Sequence, residues 1–299
     1  MKSSIAAVPL LLGLLAVAGI EPSQSPILKL SAAERAAFEA TTITWPSLDL
    51  NSEIPHTVFG APTYRKPDNQ HQVTRNYHGF TVFYDDQVLA PRWTAIKLTS
   101  AMADANSKFQ RLGNFRTDDA IKASGLLTTN HGDYNNPAGS KLWARGHMVQ
   151  FDDARGWGDA AGEDSFLTSN ITPQLQEHNS RGWFALEEAV TELARDYGVV
   201  WVYTGPIYDS SPKPFAAGRK VPKPRAFFKI VVSPSENNSV DVLAFLVPHK
   251  PIPQSADLSQ FLVSVDQVEK ETGLDFLRDL PDPIEDLLER MVWEMWPDV

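Results

Sequence analysis

Apolar residues alternate with polar ones along two neighbouring segments, residues 80–84 and 93–97. Side chains of a β-strand point to opposite faces in turn, so this pattern predicts two strands. The two aspartates at 85–86 suit a turn between them. We expect regular structure to begin near residue 78 and residues 46–67 to form an extended loop.

The clearest helical pattern covers residues 181–197. Apolar residues recur there every three to four positions from Trp183 to Leu193, which predicts an amphipathic helix. Gly198 is well placed to end that helix.

Four more apolar runs predict strands on either side of shorter helical segments. The strands are expected at 199–203, 226–232, 240–247 and 261–265, with helices at 266–271 and from about residue 284. Apolar runs separated by loops, with one long helix among them, predict an α+β domain: a central antiparallel sheet flanked by helices. There is no internal repeat.

The N-terminus has the pattern of a secretion signal. A basic start is followed by an apolar run and small residues, all within residues 1–20. An uncleaved anchor is the alternative, although the run is short for a membrane span of about 20 residues. We therefore expect a signal peptide at 1–20, an extension at 21–74 and one domain at 75–299. The mature chain is expected to be secreted or periplasmic and free of the membrane.

Composition and charge restrict the classes of function. The chain has 299 residues, no cysteine and a formal net charge of −10. The lack of cysteine excludes a disulfide framework. The acidity argues against tight, non-specific coating of nucleic acid and suits a turnover enzyme better, although a local groove can differ from the whole chain. The motifs of P-loops, nucleophile elbows and H-E-x-x-H zinc sites do not occur.

One polar stretch combines residue types suited to phosphodiester chemistry. Arg145 and His147 flank Gly146, whose lack of a side chain is expected to let a large anionic group approach both neighbours. His147 can accept a proton from water near neutral pH, and Arg145 can stabilise developing negative charge. The alternative is that His147 is an ordinary loop histidine.

Asn179 lies just before the helix predicted from residue 181. Its amide oxygen is a hard, neutral ligand of the kind that hydrated Mg²⁺ accepts. An Asn in this position is more often only an N-cap, so the spacing alone leaves both readings open.

Three ordered blocks then carry a resemblance. Trp143-Ala-Arg-Gly-His147, Ser169-Asn-Ile-Thr-Pro-Gln174 and the segment from Asn179 through Trp183 to Glu187 resemble the core of the DNA/RNA non-specific endonuclease family, the endonuclease G-like nucleases with a ββα-metal site. The similarity extends over about residues 75–282. It implies the ββα-metal nuclease fold and Mg²⁺-dependent hydrolysis of DNA and RNA to 5′-phosphate products, with Mn²⁺ as a second candidate metal.

The resemblance also implies roles for individual residues. His147 falls on the general base, Asn179 on the metal ligand and Arg145 on the phosphate-stabilising arginine. Glu187 falls on a glutamate that orients metal-bound water, and Asn170 on a supporting asparagine. Two arginines that flank the core motif, Arg155 and Arg181, are candidate substrate contacts.

The chain departs from the family pattern at two positions. Ala144 stands where the family has Asp, which puts the positioning of Arg145 in doubt; Asp152 and Asp153 are candidate substitutes. Thr191 stands where the family has another Arg. Glu187 is eight residues from Asn179, which is about 12 Å in an unbroken helix, so it can act only through water.

The departure at Ala144 leaves a second function open: a catalytically weakened nucleic-acid-binding protein on the same fold. A homodimer and a protein inhibitor of the nuclease are also left open by the sequence.

Overall fold

The computed structural model describes residues 31, 33, 56–105, 114–235 and 239–295. The expected signal segment and most of the extension after it lie outside these residues. Within the described ranges, no helix has the length and apolar character needed to cross a membrane.

The described residues contain eleven strands and seven α-helices. The strands are β1 (Thr63–Tyr64), β2 (Gln72–Asn76), β3 (Thr81–Asp85), β4 (Ala90–Thr99), β5 (Trp143–His147), β6 (Ile171–Leu175), β7 (Val199–Ile207), β8 (Ala226–Ser235), β9 (Ser239–Pro248), β10 (Leu262–Val263) and β11 (Leu274–Asp275). The α-helices are α1 (Ser100–Ala103), α2 (Asp119–Ala123), α3 (Phe151–Arg155), α4 (Asp159–Asp164), α5 (Trp183–Tyr197), α6 (Val265–Thr272) and α7 (Asp282–Arg290).

Seven strands form one sheet in the order β10-β9-β8-β7-β4-β3-β2, and each neighbouring pair runs antiparallel. The predicted α+β class with a central antiparallel sheet is thereby confirmed. Strands β1 and β2 precede residue 78, so the expected start of regular structure was too late. The strand expected at 261–265 is only β10, because Val265 opens α6 and Ser264 caps that helix through Gln267 N.

Helical segments cover both faces of the sheet. Phe227 and Phe228 are consecutive in β8 and therefore point to opposite faces. The Trp183 ring of α5 lies 5.4 Å from Phe227, whereas the Phe276 ring, which follows β11, lies 5.4 Å from Phe228. The long helix α5 and the C-terminal segment are thus separated by the sheet.

On the α5 side, β5 and β6 form a separate antiparallel ribbon. The sequence pattern did not predict β5, because it lies in a polar segment broken by Gly and Pro that was expected to be irregular. Asn136 fixes the start of the strand: its side chain donates to Trp143 O at 2.8 Å and accepts from Trp143 N at 2.9 Å. Two paired strands followed by α5 give the ββα unit that carries the candidate residues.

Candidate active site

Arg145 and His147 lie on the same face of β5, because side chains two residues apart in a strand share a face. Both pack against Phe115: its ring centroid lies 5.4 Å from the Arg145 Cζ and 5.4 Å from the His147 ring. Phe166 contacts the same imidazole edge-on, at 5.5 Å. His147 is therefore an ordered, half-buried strand residue and not a loose loop histidine.

A side chain at position 146 would lie on the other face of the ribbon. A Cβ added there would lie 2.2 Å from Gln174 Oε1 and 2.5 Å from Gln174 Cγ. The structure gives this glycine a packing reason that the sequence did not indicate. The position is glycine because the buried Gln174 side chain lies against its Cα.

Arg145 is held by groups that the sequence pattern did not single out. Its Nη2 donates to Asn135 Oδ1 at 2.7 Å and to the His131 carbonyl at 3.2 Å. Partial burial lowers the pKa of this guanidinium from its usual value. Ala144 pairs with Gln174 and lies on the face of β5 away from Arg145. An Asp at position 144 would therefore not point at the guanidinium.

The suggested substitutes for that carboxylate are engaged elsewhere. Asp152 Oδ1 pairs with Arg155 Nη2 at 3.1 Å, and Asp153 Oδ1 accepts from Thr191 Oγ1 at 3.1 Å. The hydrogen bonds of Arg145 go instead to Asn135 and to the His131 carbonyl.

Asn170 is fully buried and joins three backbone groups. Its Oδ1 accepts from Val149 N at 2.9 Å, and its Nδ2 donates to Val149 O at 2.8 Å and to Ser165 O at 2.9 Å. Its own carbonyl accepts from Met148 N at 2.9 Å. These bonds fix the backbone immediately after His147, and the carboxamide is fully used in doing so.

Asn179 lies inside a π-helical turn, His178–Gly182, that leads directly into α5. The cap residue of that turn is Glu177 and that of α5 is Gly182, and neither cap makes a side-chain hydrogen bond. Asn179 is therefore not an N-cap. Its side chain is half-buried, and single π turns of this kind often occur at functional sites.

Glu187 lies on the sheet-facing side of α5. Its Oε1 accepts from Trp183 Nε1 at 3.0 Å, and the residue is buried. Burial raises the pKa of this carboxyl to about 8, with Asp153 adding to the rise and Lys229 opposing it. Burial likewise lowers the pKa of the Lys229 ammonium, whose Nζ lies 4.9 Å from the Trp183 ring and donates to Thr204 Oγ1 at 2.9 Å.

The remaining candidate arginines, Arg155 and Arg181, differ in burial and in their partners. Arg155 is half-buried, with Cζ 5.7 Å from the Phe151 ring in addition to its pair with Asp152. Arg181 is exposed, with Nη2 3.7 Å from Glu177 Oε1. Surface pairs of this kind contribute little to stability, so Arg181 is available to an anionic ligand.

Sequence reasoning missed Phe115, Asn135 and Lys229. Lys229 had a detectable signal, because it interrupts the apolar run of β8 and a lysine inside a buried strand needs a partner. Phe115 and Asn135 had none, since their contacts depend on how an irregular segment folds back over β5.

The chain matches known proteins over most of the described region. The profile of the family described as DNA/RNA non-specific endonuclease matches residues 60–283. The chain is 32% identical over 218 residues to "Nuclease EXOG, mitochondrial" of Danio rerio, covering 68% of this chain and 60% of that protein. It is 25% identical over 217 residues to "Endonuclease G, mitochondrial" of Homo sapiens, covering 69% and 70%. It is 29% identical over 245 residues to "Nuclease" of Serratia marcescens, covering 80% and 86%.

A solved structure supports the same fold. The crystal structure of the EndoG/EndoGI complex, described as the mechanism of EndoG inhibition, contains a chain that superposes with a TM-score of 0.61 at 23% identity. The match covers 76% of this chain and 91% of that one.

Proposed function

Because the chain belongs to the DNA/RNA non-specific endonuclease family, we propose that it hydrolyses phosphodiester bonds within DNA and RNA, with His147 as general base and Mg²⁺ as its metal. The observation that carries this proposal is the placement of Arg145 and His147 side by side on one face of β5, both packed on Phe115. An imidazole beside a guanidinium offers a proton acceptor and an anion stabiliser to one phosphate.

His147 takes a proton from water in this proposal. The water oxygen then bonds to phosphorus while the bond from phosphorus to the 3′ oxygen breaks, and the leaving 3′ oxygen takes a proton from solvent. The products carry a 5′-phosphate and a 3′-hydroxyl. Phe115 and Phe166 both pack against the imidazole, which limits its rotation and favours one ring orientation for the proton transfer.

Arg145 stabilises the charge that develops on the phosphate oxygens. Asn135 and the His131 carbonyl occupy its Nη2, which orients the guanidinium plane without neutralising its charge. A neutral partner is an advantage here, because a carboxylate at this position would compete with the phosphate for the guanidinium.

Asn179 is proposed as the protein ligand of Mg²⁺. The residue fits that role because its half-buried carboxamide serves neither the cap of the π turn nor the cap of α5. A single neutral ligand suits Mg²⁺, which keeps most of its waters. When bound, the ion would supply neutralisation of charge on the phosphate during cleavage.

The lack of sequence preference follows from the kind of contact proposed. Arg145, with Arg155 and Arg181 as further candidates, would meet phosphates, and phosphate contacts carry no sequence information. Since the nucleophile is water, the reaction needs no 2′-hydroxyl. DNA and RNA are then equivalent at the reacting phosphate.

Glu187 is proposed to act on the metal only indirectly. Its carboxyl contacts Trp183 and lies in the electrostatic neighbourhood of Lys229 and Asp153, so any effect on the metal passes through water. Asn170 is proposed to support the site through the backbone next to His147.

The decisive experiment is digestion of supercoiled plasmid and of a long RNA by the mature chain with Mg²⁺, with excess EDTA, and with His147→Ala. We expect cutting of both substrates that EDTA abolishes and that His147→Ala lowers at least 100-fold. His78→Ala is the matched control, because His78 is an exposed histidine paired with Asp164. Bound but uncut DNA under Mg²⁺ or Mn²⁺ would instead favour the nucleic-acid-binding alternative.

The proposal also includes export of the chain from the cell and its inhibition by another protein. The apolar segment within residues 1–20 supports cleavage and release from the cell, which N-terminal sequencing of protein from the medium or the periplasm would test. EndoG has been solved in an inhibition complex, which supports a search for a protein inhibitor of this chain. Titration of activity by co-expressed candidate proteins would test that idea.

A further inference from the structure

Three carboxylates meet where α6 and α7 pack together. Asp266 and Glu269 lie one turn apart on α6, and Glu289 approaches from the last turn of α7. One carboxylate oxygen from each residue lies within 4.8 Å of the other two. Asp266 is exposed, Glu269 is half-buried and Glu289 is buried, so the group extends from the surface into the interior.

Glu289 is the unusual member of this group. It is only 7% exposed, and its Oε1 is buried without a hydrogen-bond partner among the described residues. A buried carboxylate oxygen without a donor is costly, so such atoms normally face a donor or a cation. Burial raises the pKa of Glu289 to about 9, with Glu269, Glu285, Asp266 and Asp275 adding to the rise.

Glu269 already has one structural partner. Its Oε1 accepts from Phe276 N at 2.7 Å, which ties α6 to the chain just after β11. That bond explains why Glu269 turns inward. It does not explain why two further carboxylates converge on the same point, or why the buried one lacks a donor.

We propose that Asp266, Glu269 and Glu289 bind a calcium ion. Ca²⁺ holds oxygen ligands at 2.3–2.6 Å, so ligands on opposite sides of the ion are about 4.6–5.2 Å apart. The three oxygens lie within 4.8 Å of one another, which such a shell accommodates. Mg²⁺ usually keeps several waters and takes only one or two carboxylates, and Zn²⁺ prefers nitrogen or sulfur ligands, so three converging carboxylates suit Ca²⁺ better.

The site would act on stability and not on cleavage. Phe276 packs on the sheet face that carries Phe228, opposite the face that carries Trp183 and α5. The ion would therefore join α6 to α7 on the far side of the sheet from His147. Exposed Asp266 leaves room for waters to complete the coordination, which suits a site of roughly 10⁻⁴–10⁻³ M affinity.

Thermal unfolding of the EDTA-treated and dialysed chain tests the proposal. We expect 10 mM CaCl₂ to raise the Tm of the wild type by about 5 °C and 10 mM MgCl₂ to raise it much less. Glu289→Gln keeps the shape of the side chain and should abolish the calcium shift. Glu285→Gln is the matched control, because it removes a neighbouring carboxylate outside the group of three and should keep the shift.

Two further variants separate this site from the rest of the protein. Asp266→Asn alters only an exposed side chain, so it folds even if Glu289→Gln does not, and it should also lose the shift. Asn179→Ala should keep the full shift, because the proposed catalytic metal lies elsewhere. Equilibrium dialysis should give one calcium per chain. An unchanged wild-type Tm, or equal shifts in the wild type and Asp266→Asn, would overturn the proposal.

Discussion

The indole Nε1 of Trp183 donates a hydrogen bond to Oε1 of Glu187 at 3.0 Å, one helical turn along α5. The bond keeps the carboxyl against the sheet, where Lys229 opposes and Asp153 reinforces the rise in its pKa. The helix that follows Asn179 is thus anchored to β8 by a buried polar cluster as well as by apolar packing. Lys229 is the cation of that cluster.

Lys229→Met should destabilise the protein, and more so at high pH. The raised pKa values of Asp153, about 6, and Glu187, about 8, mean that the folded state binds more protons than the unfolded state between about pH 4 and pH 8. Their contribution to stability is therefore lost as pH rises through that window. Without Lys229 the ionised carboxylates lose the nearby cation that stabilises them. We therefore expect Lys229→Met to lower the free energy of unfolding by about 3 kcal/mol at pH 8.5 and by much less at pH 5.

Urea unfolding of the wild type and Lys229→Met at the two pH values measures the deficit. Adding Glu187→Gln to Lys229→Met should recover part of the loss at pH 8.5, because it removes a buried charge. Lys213→Met, an exposed lysine, serves as control. A deficit that does not depend on pH would show that Lys229 acts through packing alone.

Asn135→Ala should lower nuclease activity without unfolding the chain. The substitution removes the 2.7 Å bond to Arg145 Nη2 and leaves the guanidinium with the His131 carbonyl. If the loss of this bond raises the activation free energy of cleavage by about 1.4 kcal/mol, kcat falls tenfold. Asn135→Asp keeps an acceptor but adds a charge that competes with the phosphate, so it should recover only part of the activity.

The kinetics of cutting a fluorescent duplex provide the measurement. His131→Ala is the matched control, because the hydrogen bond from Arg145 goes to the backbone carbonyl of His131, which the substitution keeps. Equal losses in Asn135→Ala and His131→Ala would mean that the loop as a whole is disturbed and that the side-chain bond does not matter.

Gly146→Ala should destabilise the β5–β6 ribbon by about 1–3 kcal/mol, since the new Cβ would overlap the Gln174 side chain. Gln174→Ala should relieve that overlap. Neither polar atom of the Gln174 amide has a hydrogen-bond partner among the described residues, so truncating it removes no such bond. Denaturation of both single variants and the double variant should give a coupling above about 1 kcal/mol; simple additivity would contradict the packing account of Gly146.

The regular part of the fold was predictable because it obeys local periodicity. Strands β3, β4 and β7 to β9 and helix α5 bury one face or both, so their apolar spacing appears in the sequence. Strand β5 gives no such signal. Arg145 and His147 belong to the candidate site and Gly146 accommodates Gln174, so these residues do not follow an apolar spacing. The strand character of β5 depends on pairing with residues 24 to 32 positions later.

The sequence pattern could not predict the turn that carries Asn179 either. Gly182 ends it, and a Cβ at Gly182 would lie 2.4 Å from Ile252 Cγ2. The backbone N of Gly182 donates to Ile252 O at 3.2 Å. A contact seventy residues away thus shapes the start of α5, and local spacing cannot encode it. The resemblance supplied the candidate residues; the structure supplied the partners that hold them.

Asn179→Ala distinguishes a metal ligand from a structural residue. An N-cap replaced by Ala costs about 0.5–2 kcal/mol, but Asn179 caps neither the π turn nor α5. We therefore expect a free energy of unfolding within about 0.5 kcal/mol of the wild type, together with Mg²⁺-dependent cutting lowered by on the order of 100-fold. Asn179→Asp, which keeps an oxygen ligand, should retain part of the activity. Urea unfolding in EDTA and plasmid cutting across a Mg²⁺ titration measure the two effects separately. Because the unfolding is measured without metal, a stability loss of 1 kcal/mol or more would assign Asn179 a structural role, whereas lost cutting at unchanged stability would identify it as the residue that the metal needs.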